Sequence, residues 1–323
     1  ILRAEVPGPV VGKLVSKVRL TARILYVIYA IMTVIEIILL LFGGMPLFDC
    51  ILNAFGTAGT GGFGIKNASI AAYDSAYIDG VITVFMILFG INFNLIYFFI
   101  LGRIKEVLKS EELRWYLIII VAAISFNYDL TILPLYDSIL SAFRYSSFQV
   151  GSIITTTGFV TADYGQWPVF SQVILLSLMF VGACSGSTGG GIKVSRIVIY
   201  FKNARNELHK LLHPHSVRAV EFENQPVEDN VIRTIHAYLV VYITIFALSL
   251  LILTFLNLDF KSAFSAIASC LNNIGPGLDV VGPVSNFGSL PDVSKIVLTF
   301  DMLAGRLELF PMLLLFSPSL WRK

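Results

Sequence analysis

Near-continuous apolar runs of about 20 residues, the length that crosses a bilayer as helix, recur along this chain. They are Arg23 to Phe42, Ile78 to Leu101, Trp115 to Leu133, Arg233 to Leu256 and Val293 to Phe316, each long enough to span unaided. One more run, Phe170 to Gly182, fourth in chain order, is shorter. Between successive runs lie segments of mixed character: PLFDCILNAFGTAGTGGFGIKN from Pro46, SILSAFRYSSFQVGSIITTTGFV from Ser138 and FKSAFSAIASCLNNIGPGLD from Phe260. Each carries an Ala-Phe pair (Ala54 and Phe55, Ala142 and Phe143, Ala263 and Phe264) on an amphipathic stretch. At roughly 12 to 15 residues these stretches are too short to span and suit re-entrant helices.

The pattern repeats three times as outer helix, short helix, glycine loop and inner helix, a tandem-repeat organisation. Alignment on Gly158 places Gly62 (GTGGF) and Gly275 (NIGPG) at the same position. Non-helical backbone at membrane depth is tolerated only when buried in protein or lining a wet cavity, so the loops line something wet. The stretch SIITTTGFVTADYGQWP, from Ser152, has the composition to point main-chain carbonyls at a dehydrated cation, its glycine permitting angles a β-carbon forbids. The expected coordinating residues are Thr155, Thr156, Thr157 and Gly158, with counterparts Thr60, Gly61 and Gly62 and Asn273, Ile274 and Gly275. A polar turn between helices is the plain alternative for any one loop; repetition favours the ion path.

Composition agrees with a membrane protein: 56% of residues are hydrophobic and only 14% charged, with a mean hydropathy of +0.80, against about a quarter charged in a soluble domain. Basic residues set the orientation. Arg3, Lys13, Lys17, Arg19 and Arg23 precede the first run, Arg103, Lys105, Lys109 and Arg114 follow the second, and Lys193 through Arg233 follow the fourth. The intervening connections hold only Lys66, Arg144, Lys261 and Lys295, so they face outward and both ends of this chain face the cytoplasm. The net charge of +2 reflects this topology and gives no argument for nucleic acid. Cys50, Cys184 and Cys270 are scattered in apolar or loop contexts and read as buried thiols. No secretory signal or lipidation motif is visible, and the chain begins at Ile1. Three such units do not close a symmetrical pore and four would, so a first unit is expected upstream, with 1–22 as its linker and units at 23–114, 115–232 and 233–323.

The fourth run is interrupted by GACSGSTGGGIK, from Gly182. Gly182, Gly186, Gly189, Gly190 and Gly191 with Ser185, Ser187 and Thr188 between them do not hold an α-helix. The segment is expected as a polar loop inside the membrane, below the filter loop of its own unit, free to block the path and move aside. A phosphate-binding loop needs lysine directly after its last glycine, but Ile192 intervenes and no strand precedes. A small-residue helix-packing patch explains one or two of the glycines only. Arg306, near the middle of the last run, is costly at that depth and should face a cavity. It is either an electrostatic barrier bonded to the gate loop or a structural partner of Asp301 or Glu308.

Several residues carry weaker signals. Asn92 and Asn94 read as amides that cross-link helices, Asn272 and Asn273 as filter support, and Tyr128 and Asp129 as interfacial. Asp163 and Asp279 either concentrate cations at the outer mouth or are solvated loop carboxylates. His209, His213 and His215 lie around Pro214 without a completing cysteine or carboxylate, which favours a solvated loop over a metal site. The stretch Lys202 to Asn230 is the longest charged connection and a natural docking surface.

Five ordered motifs, AFGTAGTGGFG, SIITTTGFVTADYGQWP, GACSGSTGGGIK, CLNNIGPGLD and DMLAGRLELFP, resemble those of the Trk/Ktr/HKT superfamily of potassium transporters, most closely its TrkH and TrkG branch. The resemblance covers nearly the whole chain. It implies an all-α polytopic membrane protein of the bacterial inner membrane, with four such units around a central cation path. It further implies potassium uptake with no cofactor, a gate at Gly182 through Gly191, and the barrier role for Arg306. A cytosolic ring of nucleotide-binding domains of TrkA type and a homodimer with one path per subunit are also implied. Potassium and rubidium should pass and sodium be partly excluded, because dissimilar loops make a less regular cage than four identical ones. An ion-coupled secondary transporter of a small solute is the alternative, but its inverted repeats are not the pattern here. An enzyme is not expected, since no serine pairs with a histidine at membrane depth, and a scaffold or receptor leaves the glycine loops without purpose.

Overall fold

The computed structural model describes residues 18–128, 135–136, 138–214, 219–307 and 309–316. The first repeat comprises α1 (Val18–Phe42), α2 (Leu47–Ala58), α3 (Ala76–Phe89) and α4 (Phe93–Ile100), and the short α5 (Ile104–Lys109) leads to the second. That unit is α6 (Glu111–Asn127), α7 (Ile139–Ile154), α8 (Val169–Val181) and α9 (Val194–Leu212), followed by a hairpin of β1 (Glu221–Phe222) and β2 (Gln225–Pro226). The third is α10 (Asp229–Phe255), α11 (Phe260–Leu271), α12 (Asp292–Arg306) and α13 (Leu309–Leu314).

Local chemistry sets these boundaries. Ser110, Ser138 and Asp259 cap α6, α7 and α11, each side-chain oxygen accepting a hydrogen bond from a first-turn amide. Pro46, Pro168 and Pro291 immediately precede α2, α8 and α12, where a missing amide costs nothing. In α1, Val27, Ile31, Val34, Ile38 and Leu41 are exposed while Ile28, Glu36 and Leu40 are buried. That three-to-four-residue spacing gives an apolar face outward, as a lipid-facing helix requires.

Each short helix packs between the outer and inner helix of its own unit: α2 against α1 and α3, α7 against α6 and α8, α11 against α10 and α12. Units join by a common contact, the inner helix of one against the short helix of the next, α3 on α7 and α8 on α11. The first of these joints carries an ion pair, Arg144 Nε to Asp79 Oδ2 at 2.7 Å.

The structure corrects three expectations. Only Arg19–Phe42 and Asp229–Phe255 are single helices long and apolar enough to span, among the described residues. The run from Ile78 to Leu101 is two helices bent by 102°. Asn92 accepts from the amide of Asn94 and caps α4, so its amide ends one helix and starts another instead of cross-linking two. The last run is likewise divided, α12 ending at Arg306 and α13 starting at Leu309. The stretch from Lys202 to Asn230 is helical as far as Leu212 and contains the hairpin of β1 and β2. The 1–22 linker before Val18, Asp129, His215 and Glu308 lie outside the described residues.

Candidate functional site

The three short helices end in the same turn. In each, the amide three residues past the last helical residue reaches back five residues: Gly61 to Gly56 O at 2.8 Å, Thr157 to Ser152 O at 2.9 Å, and Ile274 to Ser269 O at 2.9 Å. The companion bonds, Thr60 to Thr57 O, Thr156 to Ile153 O and Asn273 to Cys270 O, complete a Schellman end. That end requires a left-handed residue, usually glycine. Here it is Thr60 (φ 49°), Thr156 (φ 59°) and Asn273 (φ 58°), followed two positions on by Gly62, Gly158 and Gly275, also at positive φ. A β-branched threonine in this region is strained, so some other contact must hold Thr60 and Thr156 there.

The three turns lie side by side. A Cβ at Gly62 would stand 2.0 Å from the Thr157 carbonyl oxygen, and one at Gly158 would stand 1.8 Å from the Ile274 carbonyl oxygen. Glycine is required at both because the backbone of the next turn occupies the space. At Gly275 a Cβ would meet nothing within 4 Å. The expected coordinating residues of all three repeats are thus brought together, in chain order. Thr155, Thr156, Thr157 and Thr60 are buried.

Below them runs the segment Gly182–Lys193, which the structure shows as a non-helical break between α8 and α9. Its contacts account for the strained threonines. Thr60 Oγ1 donates to Thr188 O at 2.8 Å, and Thr156 Oγ1 accepts from the Gly190 amide at 2.6 Å. A Cβ at Gly190 would also lie 2.6 Å from Asn272 O, so the segment touches the third turn as well. Ser187 Oγ donates to Cys184 O, the Gly186 carbonyl accepts from Phe93 N, and the Lys193 ammonium donates to Gly189 O. The Cys184 amide donates to Gly90 O, tying the segment to the α3–α4 break. Ser185 Oγ and Ser195 Oγ stand 2.5 Å apart at its base.

Arg306 ends α12 and is exposed. It forms no ion pair with Asp301, whose Oδ1 accepts from Ser249 Oγ at 2.9 Å. Its neighbour Gly305 abuts the third turn, where a Cβ would lie 2.0 Å from Leu271 O. Asn272 meets Tyr242, its Nδ2 donating to the phenol oxygen at 2.9 Å. Asp163 and Asp279 are engaged structurally, Asp163 accepting from the Gly165 amide and Asp279 from Ser262 Oγ. In the first unit Tyr73 donates to Asp49 Oδ2 at 2.6 Å, and burial together with that carboxylate pushes its phenol up to about 12. The three cysteines are buried free thiols. Among the described residues no cluster of three His, Cys, Asp or Glu suits a resident metal; His209 and His213 pair ring to ring along α9.

Sequence reasoning passed over Glu36, Glu112 and Glu223, and used Lys193 only as a basic residue that sets the orientation. Glu36 is a fully buried carboxylate inside α1, and a charge within an apolar run is a signal the sequence did carry. Glu112 is buried beside the interrupting segment, and Lys193 is buried as its last residue. Two acids, Glu111 and Glu112, ahead of an apolar run read as an ordinary helix start, so nothing local marked Glu112.

Helices of spanning length, with short helices ending in converging glycine turns and a broken helix packed against them, define a helical membrane protein. The model of the TrkH family, described as a cation transport protein, matches residues 2–323. The Trk system potassium uptake protein TrkH of Salmonella typhimurium is 37% identical over the whole of this chain and 67% of its own. That of Escherichia coli K12 is 36% identical with the same coverage. TrkG of Escherichia coli K12 is 33% identical over the whole chain and 66% of its own length. The crystal structure of the potassium transporter TrkH from Vibrio parahaemolyticus superposes with a TM-score of 0.87 at 35% identity, covering 97% of this chain and 67% of that one. The chain belongs to the TrkH family, a family of transport proteins and not of enzymes.

Proposed function

We propose that this chain takes up potassium across the bacterial inner membrane through a filter of backbone carbonyls, and that the Gly182–Lys193 segment is its gate. The single observation that carries this reading is the convergence of three equivalent turns on one another. Gly62 lies against the Thr157 carbonyl and Gly158 against the Ile274 carbonyl, an arrangement of adjacent oxygen dipoles able to replace a cation's water shell. The names of the relatives supply the ion. Rubidium passes by the same path, and sodium is partly excluded. In this reading the three repeats are pore units and a fourth closes the ring beside Gly275. The segment blocks the path because it is bonded to Thr60 and Thr156 and packed on Asn272. Arg306, at the end of α12, places a positive charge near the inner side of the third turn and raises the barrier for cations. A homodimer and a cytosolic nucleotide-binding partner of TrkA type belong to the same reading.

Uptake of radioactive rubidium into liposomes holding the purified protein, driven by a potassium gradient, tests it. Uptake that survives a protonophore is expected for a filtered pore. Uptake abolished by the protonophore favours a coupled carrier, and no uptake above empty liposomes rejects the reading. Neutralising Arg306 as Arg306→Gln should raise the rate; an unchanged rate removes the barrier role.

A further inference from the structure

We propose that Glu112 is the positioning residue that holds the base of the Gly182–Lys193 segment, and that Glu223 at the hairpin tip holds Glu112, so that movement of the cytoplasmic hairpin loosens the gate. This rests on the reading of that segment as the gate.

The contacts form one continuous line. Glu112 Oε1 accepts from the amide of Ser185 at 2.7 Å and from that of Ser195 at 3.2 Å, so one carboxylate oxygen pins both ends of the interrupting segment. Ser185 and Ser195 are further joined hydroxyl to hydroxyl. The carboxylate is 5% exposed; burial pushes it up to about 7, and the Ser185 amide and the Lys193 ammonium offset part of that by favouring the charged form. Charge-assisted hydrogen bonds in such a place are the strong ones. Glu112 itself is held from the cytoplasmic side. Its amide donates to Glu223 Oε1 at 3.0 Å, and Ser110 Oγ, the cap of α6, donates to the same oxygen at 2.8 Å.

The hairpin is shaped to make that contact. Its two-residue turn is Glu223 (φ 52°) and Asn224 (φ 57°), the primed geometry that matches strand twist. Asparagine tolerates this region, but glutamate seldom occupies it. The strained position is retained where the side chain caps α6. Lys202 of α9 fastens the hairpin a second time, its ammonium contacting Glu111 at 2.6 Å and the Glu221 carbonyl at 2.8 Å. Phe222, 3% exposed, anchors the strand in the core beside Val220 and Ile235. The hairpin therefore moves as a unit with the first turn of α6, and that turn carries the carboxylate that grips the gate.

Rubidium uptake into liposomes, with no regulator added, tests the linkage on Glu112→Gln, Glu223→Gln, the double variant and Glu112→Asp. Glu112→Gln is expected to raise uptake about tenfold, the equivalent of one weakened charge-assisted bond. Glu223→Gln should raise it less, and the double variant should match Glu112→Gln alone because the two act in series. Glu112→Asp should return uptake toward the parent level. A cysteine placed by Ser187→Cys should react faster with a membrane-impermeant maleimide in the Glu112→Gln background, a change that loss of stability alone, which abolishes uptake, does not give. Removal of Gly189–Gly191 separates the two claims. If that deletion raises uptake and the glutamine variants leave it unchanged or lower it, the linkage is overturned; additive effects of the two variants also overturn it. If the deletion raises nothing, the gate reading itself fails. Should Glu112→Gln not yield folded protein, Glu223→Gln at the half-buried tip carries the test.

Discussion

Thr60 and Thr156 occupy a backbone region that suits glycine, and each uses its hydroxyl to bind the segment below. The strain is the mark of a functional contact. Valine keeps the branched shape and loses only the hydroxyl, so Thr60→Val and Thr156→Val should each raise basal rubidium uptake about fivefold, the worth of one neutral hydrogen bond. Unchanged uptake in both would show that these bonds do not hold the gate. Gly158→Ala meets a different obstacle, since its Cβ would lie 1.8 Å from the Ile274 carbonyl oxygen and its φ is 83°. The neighbouring turn must move, and discrimination of potassium over sodium should fall about tenfold or more, as measured by competition of each ion with rubidium uptake. Tyr73 gives a pH signature. Its phenol is raised from an ordinary value of 10.0 to about 12, so the Asp49 hydrogen bond stabilises the fold fully below pH 10 and is lost as pH rises through about 12. An ultraviolet titration that finds Tyr73 ionising near pH 10 contradicts the buried contact.

The helices show where a pattern can and cannot be read. The three short helices and their glycine turns were legible because Thr-Gly and Asn-Ile-Gly punctuate apolar sequence, and the broken helix was legible because five glycines cannot hold one. The break at Gly90 was not. A lone glycine and an asparagine are tolerated in membrane helices, and what stabilises this bend comes from elsewhere in the chain: Cys184 N donates to Gly90 O and Phe93 N to Gly186 O. A Cβ at Gly90 would also lie 2.2 Å from the Tyr116 hydroxyl. Likewise Glu112 acquires its role only when α6 is packed on the loop base. Between α3 and α7 the ion pair of Asp79 with Arg144 joins two units, with Asp79 2% exposed and Arg144 22%. Asp79→Asn leaves that guanidinium only the longer contact with Asp74, at 3.9 Å, and should cost about 2 kcal/mol. A thermal-aggregation midpoint lowered by several degrees checks it; no shift would show that the pair is dispensable.

Across the molecule, the same relation recurs between units: inner helix against the next short helix, and turn glycine against a carbonyl of the next turn. Repetition was visible in the sequence as spacing, but its circular order was not, because spacing along a chain does not say which turn faces which. The folded chain has that order, Gly62 to Thr157 and Gly158 to Ile274, with the glycine-rich segment against all three turns. The most direct test is to locate the ion. In crystals of the protein grown in rubidium, the anomalous difference map should show a peak within coordinating distance of the Thr157 and Ile274 carbonyl oxygens. A map with rubidium bound elsewhere, and none beside those oxygens, would contradict the account.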